Sequence, residues 1–93
     1  MTDEELEALV KETSEQIDRL SAPEKPLTKE EKKRKTLLQM QKMALGRIKE
    51  AKEKGSLQQE IRASMDYSLL TKYGDKHPFL MGFIKSQMWW YGW

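Results

Sequence analysis

His77 is the single histidine in 93 residues and cysteine is absent, so the side chains best suited to proton transfer near neutral pH, or to binding soft metals, are almost missing. General acid–base catalysis draws on groups that titrate near the working pH, histidine first among them. No serine–histidine–acid constellation can be argued from His77 alone. Asp75 and His77 offer two metal ligands, where a catalytic zinc site wants three and a structural one four. His77 and Met81 stand four apart, as a haem-ligand pair on one helix face could. Methionine at helical spacing among Leu and Phe ordinarily fills a core, however, and Met40, Met43, Met65, Met81 and Met88 are expected to do so. Gly46, Gly55, Gly74, Gly82 and Gly92 are isolated and form neither a Walker loop nor a dinucleotide fingerprint. The inventory predicts no catalytic residues, no metal and no cofactor. It points to a chain that is not an enzyme, although one that could serve as a noncatalytic subunit.

Two other patterns point to binding. Phe79, Phe83, Trp89, Trp90, Tyr91 and Trp93 are six of the eight aromatic residues, and Lys85 is the one charged side chain among the last fifteen positions. At roughly 150–250 Å² per ring, six rings present about 900–1,500 Å², against roughly 300–600 Å² for the largest apolar patch on a typical monomer. Most of that surface must be covered. Phe79, Leu80, Phe83, Ile84 and Met88 are expected to complete the core of the chain itself. Phe83, Trp89, Trp90, Tyr91 and Trp93 form the candidate protein-binding set, because Trp and Tyr anchor interfaces and a chain end frays unless docked. The partner is another protein or a second copy of the chain. A membrane surface is a weaker alternative, because the segment lacks a cationic face.

The second pattern is a basic run, Lys29, Lys32, Lys33, Arg34 and Lys35, a candidate site for phosphates or nucleic acid. Residues 1–20 hold seven acids and two bases, a net −5, whereas residues 28–54 hold ten bases and four acids, a net +6. The two signs are expected to neutralise one another in part, with the first helix against the second or its field. Glu30 with Arg34 and Glu31 with Lys35 have the four-residue spacing of helical ion pairs, and no aromatic interleaves the run to stack on bases. No small-molecule substrate is implied.

These residues need elements to position them. Thr2 with Glu5 has the form of a capping box, and Leu6, Leu9, Val10, Thr13, Ile17 and Leu20 follow at helical spacing, predicting a helix over Asp3 to Leu20. Pro23 and Pro26 make residues 21–27 a linker. A second box, Thr28 with Glu31, opens a helix to Lys54 whose apolar face is Leu37, Leu38, Met40, Ala44, Leu45, Ile48 and Ala51. Gly55 suits the left-handed position that ends a helix, and Ser56 with Gln59 caps the next. That third helix is striped by Leu57, Ile61, Met65, Ser68 and Leu69, with Leu70 and Tyr73 near its end and Gly74 its natural stop. Pro78 suits the first position of a fourth, aromatic helix running to about Trp90.

The fold expected is all-α, a small bundle of three to four short helices with a helical hairpin and an aromatic-rich C-terminal helix. Its parts are an acidic helix over 1–20, the linker, and a helical domain over 28–93. No cysteine requires an oxidising compartment, and the acidic start predicts no secretory leader. The function expected is that of a small soluble accessory or adaptor protein in the cytosol, working by protein–protein contact. A nucleic-acid-associated regulator is the alternative.

Overall fold

The computed structural model describes residues 2–21, 26–74, 76, 82–84 and 86. It is all-α, built on α1 (Asp3–Ser21), α2 (Lys29–Lys54) and α3 (Leu57–Tyr73). The capping residues foreseen in the sequence make the helix starts. The Glu5 amide donates to Thr2 Oγ1 at 3.2 Å, and that hydroxyl donates to Glu5 Oε1 at 3.1 Å. Thr28 and Glu31 close a full capping box, each backbone amide donating to the other's side chain at 3.2 Å. Each box satisfies amides that the helix itself leaves without acceptors.

α2 ends on Gly55, whose φ of 70° is left-handed. The Gly55 amide donates to the Lys52 carbonyl at 3.2 Å and that of Ser56 to the Ala51 carbonyl at 2.9 Å, which is the Schellman arrangement. Ser56 Oγ then accepts from the Gln59 amide at 3.5 Å to open α3. Two residues thus turn the chain back on itself and make the expected hairpin. Gly74 stops α3 in another way. It keeps right-handed backbone, φ −57° and ψ −37°, and is glycine for want of space: a Cβ there would run into the Leu37 side chain and the Leu70 carbonyl oxygen.

α2 is the central element, with α1 and α3 each packed on it. Leu6 of α1 meets Leu45 and Ile48 of α2 and Ala63 of α3, with Leu9, Val10 and Tyr67 packed around them. A second cluster joins Leu37, Met40 and Ala44 of α2 to Leu70 of α3 and to Ile84, with Tyr67 and Leu69 against it. Tyr67 belongs to both, so the clusters form one continuous seam. Burying Leu45, Ile48, Leu70 and Ile84 completely contributes about 1.5–3 kcal/mol each. Lys52 Nζ lies 3.4 Å from Asp3 Oδ1 and 3.7 Å from Glu60 Oε1. That amine ties the start of α1 and the start of α3 to the end of α2, so both neighbours run antiparallel to it.

The apolar face expected for α2 is buried in full. The stripe expected for α3 faces outward along its first part, while Leu69 and Leu70 near its end pack against the core. Leu57, Ile61 and Met65 are 67%, 52% and 60% exposed, and the inward face carries Ala63, Asp66 and Leu70. The helix is apolar along two opposite rows, and only one can face α2. Ala63 is small enough to let Leu6, Leu45 and Ile48 close over it. The core role expected of the methionines holds for Met40 and fails for Met65 and for Met43, which is 54% exposed.

Gly82, Phe83 and Ile84 have helical backbone. The expected ends of the fourth helix, Pro78 and Trp90, lie outside the described residues, as do Pro23 of the linker, Phe79, Leu80, Met81, Lys85 and Met88.

Candidate interaction surface

Ile84 and Phe83 are neighbours with opposite fates. Ile84 is fully buried among Leu37, Met40, Ala44 and Leu70, whereas Phe83 is 57% exposed. Burial of Ile84 holds the chain after α3 against the bundle, and Phe83 is turned to the outside at that point. Of the two, only Ile84 completes the core as expected. Trp89, Trp90, Tyr91 and Trp93, the rest of the candidate protein-binding set, lie outside the described residues, and so do Asp75 and His77.

α3 carries a further apolar surface that the sequence analysis did not single out as a site. Leu57, Ile61, Met65, Leu69 and Tyr73 form one row along the full length of α3, each a turn from the next. Next to it runs a second row of Glu60, Ser64, Ser68 and Lys72. Together the nine residues line an open groove along the outer face of the helix. Residues four apart form the ridges by which helices pack into one another; here Leu57, Ile61 and Met65 are exposed, whereas Leu69 packs against the second cluster. The signal was present in the sequence, since α3 carries two apolar rows and one helix pair buries only one.

The basic run is on the surface. Lys29, Lys32, Lys33 and Arg34 are exposed and Lys35 is half-buried. The ion pairs expected within it are absent: the pairs among the described residues are Lys52 with Asp3, Lys52 with Glu60, and Lys54 with Glu50. The Glu31 carboxylate instead turns back to the Thr28 amide, a use that competes with reaching Lys35. Among the described residues the salt bridge from α1 to α2 falls at the far end of α2 from this run.

A buried charge pair also escaped the reading from sequence. Arg47 of α2 and Asp66 of α3 are each only 6% exposed and interact electrostatically across the interface. Desolvation brings the Arg47 guanidinium down to about 10, partly opposed by the charges of Asp66 and Glu50, so it stays cationic at neutral pH. Desolvation likewise raises the Asp66 carboxyl above its ordinary range, against the pull of Arg47 and Arg62. The Tyr67 hydroxyl is raised by burial and then by Glu12 of α1. Arg47 stands three after Ala44 and four before Ala51, inside the apolar register of α2, and this position is the one clue the sequence held.

Among the described residues no group of three or more acids or histidines could hold a metal ion, and no helix is long and apolar enough to cross a membrane. What the described surface offers is apolar area on α3 and Phe83, and a separate patch of cations at the start of α2. Compared with known protein families, curated proteins and solved structures, the chain matches none.

Proposed function

We propose that this protein is a small non-enzymatic accessory or adaptor protein that acts by protein–protein contact, with its aromatic C-terminal residues Phe83, Trp89, Trp90, Tyr91 and Trp93 as the anchor. The observation that supports the reading is the exposure of large apolar side chains, Leu57, Ile61 and Met65 on α3 and Phe83 next to the buried Ile84. Large rings and exposed apolar side chains suit a central anchor that excludes water, the feature that gives interfaces most of their affinity. The composition, free of cysteine, suits the cytosol.

The test is capture of binding proteins by the full chain and by a chain ending at Met88, with far-ultraviolet circular dichroism to verify that helicity is kept. Loss of binding with helicity retained supports the reading. Equal capture by both forms refutes it.

A nucleic-acid-associated regulator using Lys29, Lys32, Lys33, Arg34 and Lys35 is the second reading. It is favoured by the cations of the run standing without the expected helical ion pairs. It requires affinity for an oligonucleotide that falls steeply with salt, as phosphate contacts do. A flat salt response removes it.

A further inference from the structure

α2 outruns both of its neighbours at its start. It has 26 residues against 19 in α1, and the two antiparallel helices are level where Asp3 meets Lys52. At about 1.5 Å per residue, α2 therefore extends roughly 7 Å past the end of α1. On its other side α3 stops at Gly74, beside Leu37, so residues 29–36 all lie beyond it. These leading turns carry Lys29, Lys32, Lys33, Arg34 and Lys35. At about 100° of rotation per residue, Lys32 and Arg34 stand on opposite sides of the helix, with Lys29 and Lys33 between them on one flank and Lys35 on the other. We propose that this projecting start of α2 enters the major groove of duplex DNA and binds phosphates of both strands without regard to sequence. Groove entry deepens the nucleic-acid reading of the basic run and rests on it, since it names the form of nucleic acid bound.

The distribution of charge selects the partner. A helix with cations on one side suits a flat anionic surface, whereas cations on opposite sides need anions on both. The major groove supplies them: it is about 12 Å wide between its two phosphate backbones and admits an α-helix, which with side chains is about 10–12 Å across. No residue from Thr28 to Thr36 is apolar or aromatic. The segment thus lacks both the apolar face that seats a helix in a membrane surface and the rings that stack on single-stranded bases. The major groove of an RNA duplex is too narrow and deep for side chains to read.

The cations are also available. Lys29, Lys32, Lys33 and Arg34 are exposed, and the ion pairs among the described residues involve Lys52 and Lys54 instead. The Glu31 carboxylate is turned back to the Thr28 amide. The acids of the first turn of α1, Asp3, Glu4 and Glu5, lie at the opposite end of α2, a helix about 39 Å long, where a screening length of about 8 Å removes their influence. The last turn of α1, nearer the run, carries Arg19 beside Asp18.

The test is fluorescence anisotropy of a labelled DNA duplex titrated with the full chain at several salt concentrations, beside a single strand and an RNA duplex of the same length. The expected result is tightest binding to the DNA duplex, equal for unrelated sequences, with a slope of log affinity on log salt of about −3 to −4, as about four neutralised phosphates give. Lys32→Gln and Arg34→Gln should each lower affinity several-fold and reduce that slope by about one, with helicity unchanged by circular dichroism. Lys49→Gln, which removes an exposed cation toward the other end of α2, should change neither. Sensitivity to Lys32 without Arg34, or the reverse, overturns groove entry, because one side of the helix then makes all the contact. Equal affinity for the RNA duplex or the single strand overturns it too but leaves the nucleic-acid reading standing, whereas no binding to any of the three at low salt removes both. Vesicles of phosphatidylcholine and phosphatidylserine in equal parts should compete poorly for the chain; competition as strong as that of unlabelled duplex overturns the proposal in favour of a membrane surface.

Discussion

Arg47 and Asp66 are the residues where chemistry and packing conflict most directly. Two buried charges of opposite sign carry a desolvation cost that their mutual attraction offsets only in part, and removing one leaves the other in a poor solvent. Asp66→Ala is therefore expected to cost about 3–5 kcal/mol, measured by urea denaturation. Arg47→Met with Asp66→Leu should cost clearly less than the sum of the two single changes, because it removes both charges and keeps the volume. Additivity would show that the two do not interact. The pair also has a pH signature. Because the Asp66 carboxyl is raised in the folded chain, the native state holds its proton more tightly than the unfolded state does. The contribution of Asp66 to stability is thus greatest in acid and falls as pH rises from the ordinary value of 3.8 through the folded one. The difference in stability between wild type and Asp66→Asn, followed over that window, should vary with pH in this sense; a flat difference contradicts the raised carboxyl. Little of this was legible beforehand, because a lone Arg in an apolar register reads equally well as a helix-surface residue whose stem lies along the core.

At the scale of elements, the helices themselves were legible because their ends are written in local chemistry. Thr28 with Glu31, Gly55, and Ser56 with Gln59 each act within a few residues of themselves, so no tertiary knowledge was needed to place the ends of α2 and the start of α3. The orientation of α3 was not legible, because two opposite apolar rows give its periodicity no single answer, and the choice is made by Leu6, Leu45 and Ile48 closing over Ala63. Gly74 shows the same divide. The sequence marked it, correctly, as an end, but its reason is the long-range approach of Leu37. The two glycines should accordingly respond differently to substitution. Gly55→Ala forces a side chain into left-handed backbone and is expected to cost about 1–2 kcal/mol, whereas Gly55→Asn, which tolerates that conformation, should cost less. At Gly74 the backbone is ordinary and the obstacle is volume, so Ala is expected to cost about 1–3 kcal/mol and Asn at least as much. Adding Leu37→Val should return part of the Gly74→Ala loss and none of that at Gly55. Thermal unfolding of the six variants reads all of these, and equal penalties for Ala and Asn at Gly55 would contradict the conformational account.

For the whole molecule, the question is what holds α1 to the rest, since its net −5 beside the +6 of residues 28–54 suggests charge and its Leu6 suggests burial. Magnitudes decide between them. The α1 carboxylate that reaches α2 is Asp3, whose side chain is 86% exposed, and exposed pairs contribute about 0–1 kcal/mol before salt weakens them further. Leu6 is 2% exposed and closes the seam shared by all three helices, and truncating such a side chain costs about 2–5 kcal/mol. Burial therefore dominates, and α1 belongs to the cooperative unit despite the proline-containing linker that follows it. Leu6→Ala is expected to lower the midpoint of urea denaturation far more than Asp3→Asn does, and raising the salt concentration should shift the wild-type midpoint only slightly. Unfolding followed by helicity and by ionisation of Tyr67, which packs in both clusters and is sensitive to Glu12 of α1, should give coincident transitions. If helicity instead fell in two steps, with Tyr67 ionising alongside the first, α1 would be a separately melting arm and the seam around Leu6 would not be what joins the three helices.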